Sequence, residues 1–171
     1  MKIAFGDIGR EISRYTIQES SWLPPGEVEM TSPLSATITL QATDKDTVYL
    51  EGKLSGEIRM DCARCSDAVI YGFNEEFYYL LTLREEEISD LQEQECSEDE
   101  CDTLYLKEPI IDVEEILREQ LYLAIPGKVV CNDDCRGLCP ECGGSLNRDE
   151  CSCAESPAES PFAILKKLKK D

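Results

Sequence analysis

Six of the ten cysteines in this 171-residue chain fall between Cys131 and Cys153, and the chain contains no histidine. The stretch that carries them, CNDDCRGLCPECGGSLNRDECSC, has little apolar content besides Leu138 and Leu146. It cannot hold itself together by burial. Thiolates gathered around a metal ion can take the place of a core, and a structural zinc prefers four such ligands in a tetrahedron. Without histidine, any closed site here is all-thiolate.

Eight cysteines come in close pairs: Cys62/Cys65, Cys131/Cys135, Cys139/Cys142 and Cys151/Cys153. Four pairs make two four-sulfur sites, which predicts two structural zinc ions. A local solution joins Cys139 and Cys142 to Cys151 and Cys153 across an eight-residue loop. Cys62, Cys65, Cys131 and Cys135 then form a long-range site. An interleaved arrangement satisfies the same count, so spacing alone leaves the pairing open. CPECG has the form of a zinc knuckle, with Gly143 supplying the backbone conformation needed after the second ligand. Cys96 and Cys101 have no neighbouring pair and read as spare thiols.

Disulfides and redox catalysis are the competing uses of cysteine. The opening residues, MKIAFGDIGREISRYT, do not read as a secretory signal, which points to the cytoplasm, where disulfides are rare. Cys62–Cys65 lies between strand patterns and Cys139–Cys142 runs into Gly-Gly. Neither pair sits at a helix N-terminus that would activate a thiol, so a thiol oxidoreductase is the weaker reading. Iron–sulfur ligation is compatible with the spacing but is also a minority reading. The lack of histidine excludes Ser-His and Cys-His hydrolases.

Aspartate and glutamate number 36 against 17 lysines and arginines, a formal charge of -19. Such a field repels phosphate backbones and attracts basic proteins. No segment approaches 18 consecutive apolar residues, so no membrane span is expected.

Ala36, Ile38 and Leu40 alternate with threonines. Val48 to Met60 keeps one apolar parity interrupted by Gly52 and Gly56, which suggest a bend. Phe77, Tyr79, Leu81 and Leu83 alternate in a second long strand over about 68–83. These patterns predict an antiparallel sheet with Cys62 and Cys65 at a hairpin tip. Arg84 to Asp102 carries ten acids against one base and reads as a solvated acidic loop. TLYLKEPII returns to strand. Asp112 and Glu115 then form a capping-box pattern ahead of Val113, Ile116, Leu117 and Leu121, one helical face. The linker AESPAESP precedes a last helix capped by Ser160. There Phe162 and Leu165 share a side, and Lys166, Lys167, Lys169 and Lys170 crowd the end. The expected class is α+β: an antiparallel sheet with a packed helix over 1–130, a zinc-ribbon-like region over 131–153, and a linker with a basic amphipathic helix over 154–171.

DVEEILREQLYLAIP followed by the cysteine-rich stretch, with CARC upstream and PFAILKKL at the end, resembles the YceD family. These are bacterial and plastid proteins associated with accumulation of large-subunit (23S) ribosomal RNA. The resemblance implies a non-enzymatic role in synthesis, processing or stability of that RNA. Combined with the charge, it points to a basic ribosomal protein or assembly factor as partner, with local contact to ribosomal RNA and no small-molecule substrate. The expected partner-binding residues are Phe162, Leu165, Lys166, Lys167, Lys169 and Lys170. The alternative is a zinc-ribbon nucleic-acid-binding module, with Arg136, Arg148 and the terminal lysines meeting phosphates.

Overall fold

The structure, a computed structural model, describes residues 1–18, 22–23, 26, 28–84, 102–148, 151 and 153. Most of the acidic stretch, with Cys96 and Cys101, lies outside those residues, as do the linker and the terminal lysine-rich segment. The chain divides into two compact units. The first is built from Met1–Met60 and Ile70–Gly127; the second takes Asp61–Val69 and the chain from Lys128 onward.

The first unit is α+β. Its strands are β1 (Lys2–Ala4), β2 (Ser13–Ile17), β3 (Glu29–Met30), β4 (Ser35–Ala42), β5 (Thr47–Asp61), β6 (Ala68–Thr82), β7 (Thr103–Tyr105) and β8 (Ile110–Asp112). One helix, α1, follows over Val113–Ala124. The larger sheet has the order β2-β4-β5-β6-β7, with β3 also paired to β5; β1 and β8 form a separate two-stranded sheet. TLYLKEPII is therefore split, its two ends serving different sheets.

The apolar parity read from the sequence is the parity that is buried. Ala36, Ile38 and Leu40 of β4, and Val48, Leu50, Leu54 and Ile58 of β5, are at most 1 % exposed. Thr37, Thr39, Glu51 and Lys53 take the other face. β5 runs unbroken for 15 residues, so its glycines do not end or divide it. Gly52 instead makes room: a Cβ there would stand 2.2–2.8 Å from the Phe77 ring. The sheet is mixed rather than purely antiparallel. β7 lies parallel to β6 with Leu81 opposite Leu104, and a parallel neighbour requires a long crossover, which the intervening acidic stretch provides in length.

Asp112 caps α1, its Oδ1 accepting the Glu115 N–H at 3.3 Å. Val113, Ile116, Leu117, Leu121 and Ala124 turn inward and join the sheet side chains, Ile3, Phe5, Ile8 and Trp22 in one core. Gln120 is buried among them and donates from Nε2 to the Tyr79 hydroxyl. Arg118 reaches the Trp22 carbonyl at 2.9 Å. No helix among the described residues is long and apolar enough to cross a membrane.

Candidate metal centres

Among its described residues the second unit has few apolar side chains to bury. Its buried cluster is Cys62, Cys65 and Cys135, with Val69 and Val130 against it. What organises it is two groups of four sulfurs. Cys62, Cys65, Cys131 and Cys135 form one; Cys139, Cys142, Cys151 and Cys153 form the other. In each, all four Sγ atoms lie within 4.8 Å of one another.

Each group is built on a knuckle. In the first, the chain leaves β5 at Cys62 and turns back toward β6, with the Cys62 N–H bound to the Asp67 carbonyl at 2.8 Å and the Ser66 N–H to the Cys62 carbonyl at 2.9 Å. In the second, the Gly143 N–H binds the Cys139 carbonyl at 2.9 Å and the Cys139 N–H binds the Gly144 carbonyl at 2.8 Å. The residue after the second cysteine is left-handed in both: Gly143 has φ 71° and Ser66 has φ 59°. Glycine announces that conformation in a sequence and serine does not, so only the CPECG knuckle was visible by its turn residue.

The segment from Lys128 closes the first group. Val129 pairs with Cys62 in a parallel bridge, and the Ala63 N–H reaches the Val129 carbonyl at 2.8 Å. This brings the Cys131 sulfur to 3.7 Å from Cys65 and the Cys135 sulfur to 3.8 Å from Cys62. Arg64 fixes the approach, its Nη1 donating to the carbonyls of Asp133 at 2.9 Å and Cys135 at 3.1 Å. In the second group the Cys142 and Cys151 sulfurs are 3.6 Å apart. Four sulfurs each about 2.3 Å from one ion in a tetrahedron lie about 3.8 Å from each other. A disulfide would need about 2.05 Å. The spacing fits a shared metal ion.

The electrostatics ask for a cation. Burial alone would raise the Cys62 thiol, but the N–H groups of Arg64, Cys65 and Cys131 outweigh it and bring it down to about 6. The Asp67 N–H favours a Cys65 thiolate, yet burial and hydrogen bonds given to Cys62, Cys135 and Cys131 push it up to about 12. The second group repeats the division. N–H groups of Cys142 and Glu141 lower Cys139 to about 7, while hydrogen bonds to Cys142 and Cys151, with burial, push Cys153 up to about 12. In the first group Cys62 and Cys135 are lowered while Cys65 and Cys131 are raised, and in the second Cys139 is lowered while Cys151 and Cys153 are raised, because crowded thiolates repel. A divalent cation at the centre removes that conflict.

Supporting residues were not evident in the sequence. Asn147 donates from Nδ2 to the Cys135 sulfur at 3.2 Å and accepts the Arg136 N–H at 2.8 Å. It thereby ties the first group to the small hairpin of the second, in which Leu138 bridges Ser145. Asn132 Nδ2 lies 3.5 Å from the Cys131 sulfur. Arg148 pairs with Asp67, whose other oxygen faces the Cys65 thiol at 3.4 Å. An asparagine two places past Ser145 carries no pattern that marks it as a thiolate donor. Phe162, Leu165, Lys166, Lys167, Lys169 and Lys170 lie outside the described residues.

Comparison with known proteins places the chain. A family model described as large ribosomal RNA subunit accumulation protein YceD matches residues 50–169. That span takes in all eight clustered cysteines. A protein of Arabidopsis thaliana named large ribosomal RNA subunit accumulation protein YCED homolog 1, chloroplastic, is 25% identical over 145 residues, covering 73% of this chain and 45% of that protein. The Zea mays protein of the same name is 26% identical over 178 residues, covering 89% of this chain and 60% of its own length. The chain thus spans about half the length of these relatives. No solved structure matches it. With the family model covering well over half of its residues, the chain belongs to the YceD family of large ribosomal RNA subunit accumulation proteins.

Proposed function

We propose that this chain is a non-enzymatic factor that supports accumulation of large-subunit ribosomal RNA in the cytoplasm, with two structural zinc ions shaping its second unit and a basic ribosomal protein or assembly factor as its partner. The observation that carries the reading is the pair of four-sulfur groups. Four protein sulfurs around a zinc leave no open coordination position, so such a site supplies shape rather than a Lewis acid or an activated water. Cys62, Cys65, Cys131 and Cys135 would hold one ion, and Cys139, Cys142, Cys151 and Cys153 the other.

The partner class follows from charge. The chain carries -19 before any metal is counted, and each zinc tetrathiolate adds a formal -2. That field draws in a basic protein and opposes extended contact with RNA. The lysines from Lys166 to Lys170, with Phe162 and Leu165, then offer a local exception that can touch ribosomal RNA.

Tagged full-length chain captured from cells, with and without ribonuclease, tests the reading. The expected result is enrichment of a basic large-subunit protein or assembly factor that survives ribonuclease and is lost in high salt. Capture abolished by ribonuclease would replace it with the nucleic-acid-binding reading. Elemental analysis of the same material is expected to give about two zinc ions per chain; iron, or less than about half an ion, would remove the metal assignment.

A further inference from the structure

The two sulfur groups are enclosed differently. In the first, Cys62, Cys65 and Cys135 are buried and Cys131 alone reaches solvent. Its ligands arrive from two chain segments, with 66 positions between Cys65 and Cys131. The backbone N–H groups of Arg64 and Cys131 point at the Cys62 sulfur at 3.4 and 3.3 Å, and Asn147 covers Cys135. In the second, Cys139 is buried, Cys142 is exposed, and Cys151 and Cys153 are half-buried. The exposed Cys142 sulfur has Cys151 as a 3.6 Å neighbour that is itself accessible. The exposed Cys131 has only buried sulfurs beside it, among them Cys65, 3 % accessible and 3.7 Å away.

We propose that the group formed by Cys139, Cys142, Cys151 and Cys153 is a peroxide-oxidisable metal site, in which Cys142 and Cys151 close into a disulfide and the metal leaves. The proposal rests on the zinc reading above. Thiolate sulfur is the nucleophile in this chemistry, and access decides which thiolate reacts. Cys142 sulfur attacks one peroxide oxygen. The S–O bond forms, the O–O bond breaks, and the departing hydroxide takes a proton to become water. Cys151 thiolate then attacks the sulfenic sulfur of Cys142. The S–S bond forms, the S–O bond breaks, and the second hydroxide leaves as water with a second proton. Two thiolates lose two electrons, one peroxide gains two, and two protons are consumed. The sulfurs have to close from 3.6 Å to about 2.05 Å. Zinc left with Cys139 and Cys153 has lost half its ligands and departs as the divalent ion. In the first group burial withholds the second thiolate that would complete a disulfide with the exposed Cys131.

The test uses zinc-loaded full-length chain, hydrogen peroxide, a chromogenic chelator that reports free zinc, and mass-spectrometric mapping of disulfides. About one zinc per chain is expected in a fast phase, accompanied by a Cys142–Cys151 disulfide, with the remainder released at least about tenfold more slowly. Reductant and added zinc are expected to restore the starting state. Cys151→Ser removes the thiolate that closes the disulfide and is expected to abolish the Cys142–Cys151 disulfide. A single phase releasing both ions, or a disulfide mapped to Cys65–Cys131, overturns the proposal while leaving the zinc reading intact. A chain that carries no zinc before oxidation overturns both.

Discussion

The first unit and the second meet the same physical demand by different means. Ordering a residue costs about 1–2 kcal/mol of backbone entropy wherever it lies. The first unit offsets that cost with a continuous core from Ile3 to Ala124, in which Ile38, Leu40, Leu50, Leu54, Leu81, Ile111, Leu117 and Leu121 are fully buried. Among its described residues the second has Val69 and Val130 against three cysteines, far too little apolar surface to offset a comparable cost per residue. Sulfur takes over there. An apparent zinc-binding energy of about 10–16 kcal/mol per site in small peptides is comparable to the whole net stability of a domain. A short polar segment can therefore be ordered without a core, provided its ligands converge. The difference makes the units separable by perturbation, because metal loss and core damage act through different atoms.

The sharpest way to separate them is to remove a ligand. Cys135→Ser takes a buried sulfur from the first group and leaves the Asn147 amide and three thiols without their common partner. Zinc content is expected to fall from about two ions to about one, and amide protection over 61–69 and 128–136 to collapse. Trp22, the one tryptophan, sits buried in the first unit, so its emission is expected to keep a cooperative thermal transition. Loss of that transition in the mutant would mean that the first unit's core is not sufficient by itself.

Acid acts on the same contrast. A thiol lowered by folding contributes stability that is present above its ordinary value and is lost as pH falls through the lowered one. For Cys62 the window runs from 9.0 down to about 6, and for Cys139 from 9.0 down to about 7. Cys65 and Cys153, raised to about 12, run the other way: their contribution is fully present below 9.0 and is lost as pH rises from there through about 12. Protons compete with zinc for thiolates. Zinc bound at equilibrium is therefore expected to fall on acidification from pH 8 to 5, and the second group, whose Cys142 is exposed and whose Cys151 and Cys153 are half-buried, is expected to release first. Identification of the first step in Cys139→Ser, which lacks the more acid-sensitive site, checks the order; release from the Cys62 group first would reverse it.

Core damage is expected to do the converse. Leu117→Ala removes a fully buried side chain from α1 and is expected to cost about 2–5 kcal/mol, read as a drop in the Trp22-monitored transition. Zinc content below that transition is expected to stay at about two ions per chain. A loss of zinc in Leu117→Ala at low temperature would show that the metal groups depend on the helix.

How far the sequence spoke for each unit follows the same division. β4, β5 and β6 were legible because each is long and has one face in the core, so period-2 alternation repeats enough times to be seen. α1 was legible from its cap and one apolar face. β2 was missed: in SRYTI only Tyr15 and Ile17 pack inward, and the strand pairs on one side with β4 alone. The parallel placement of β7 was also missed, because three residues carry no signal for direction. In the second unit, residue type and pairing of the eight cysteines were plain, but their distribution between two groups was not. That grouping depends on Val129 pairing with Cys62, a contact between segments 67 positions apart, and on Asn147, whose role comes from position rather than spacing.

The smallest effect tests the outer face of the sheet, where the first unit is polar and wet. Lys53 Nζ lies 2.6 Å from Glu76 Oε1, and the hydrogen bond to Glu76 raises the lysine above its ordinary value. Both side chains are more than half exposed, at 56% and 64%. Water and salt screen such a pair, and two long side chains lose freedom in making it, so exposed pairs are worth about 0–1 kcal/mol. Lys53→Gln removes the charge together with part of the stem. It is expected to leave the thermal transition almost unchanged, with zinc content unchanged. Repeating the measurement in about 1 M salt is expected to erase even that difference. A clear, salt-insensitive drop in the transition would mean that this face does more than meet solvent, and that the first unit is held by polar contacts as well as by its core.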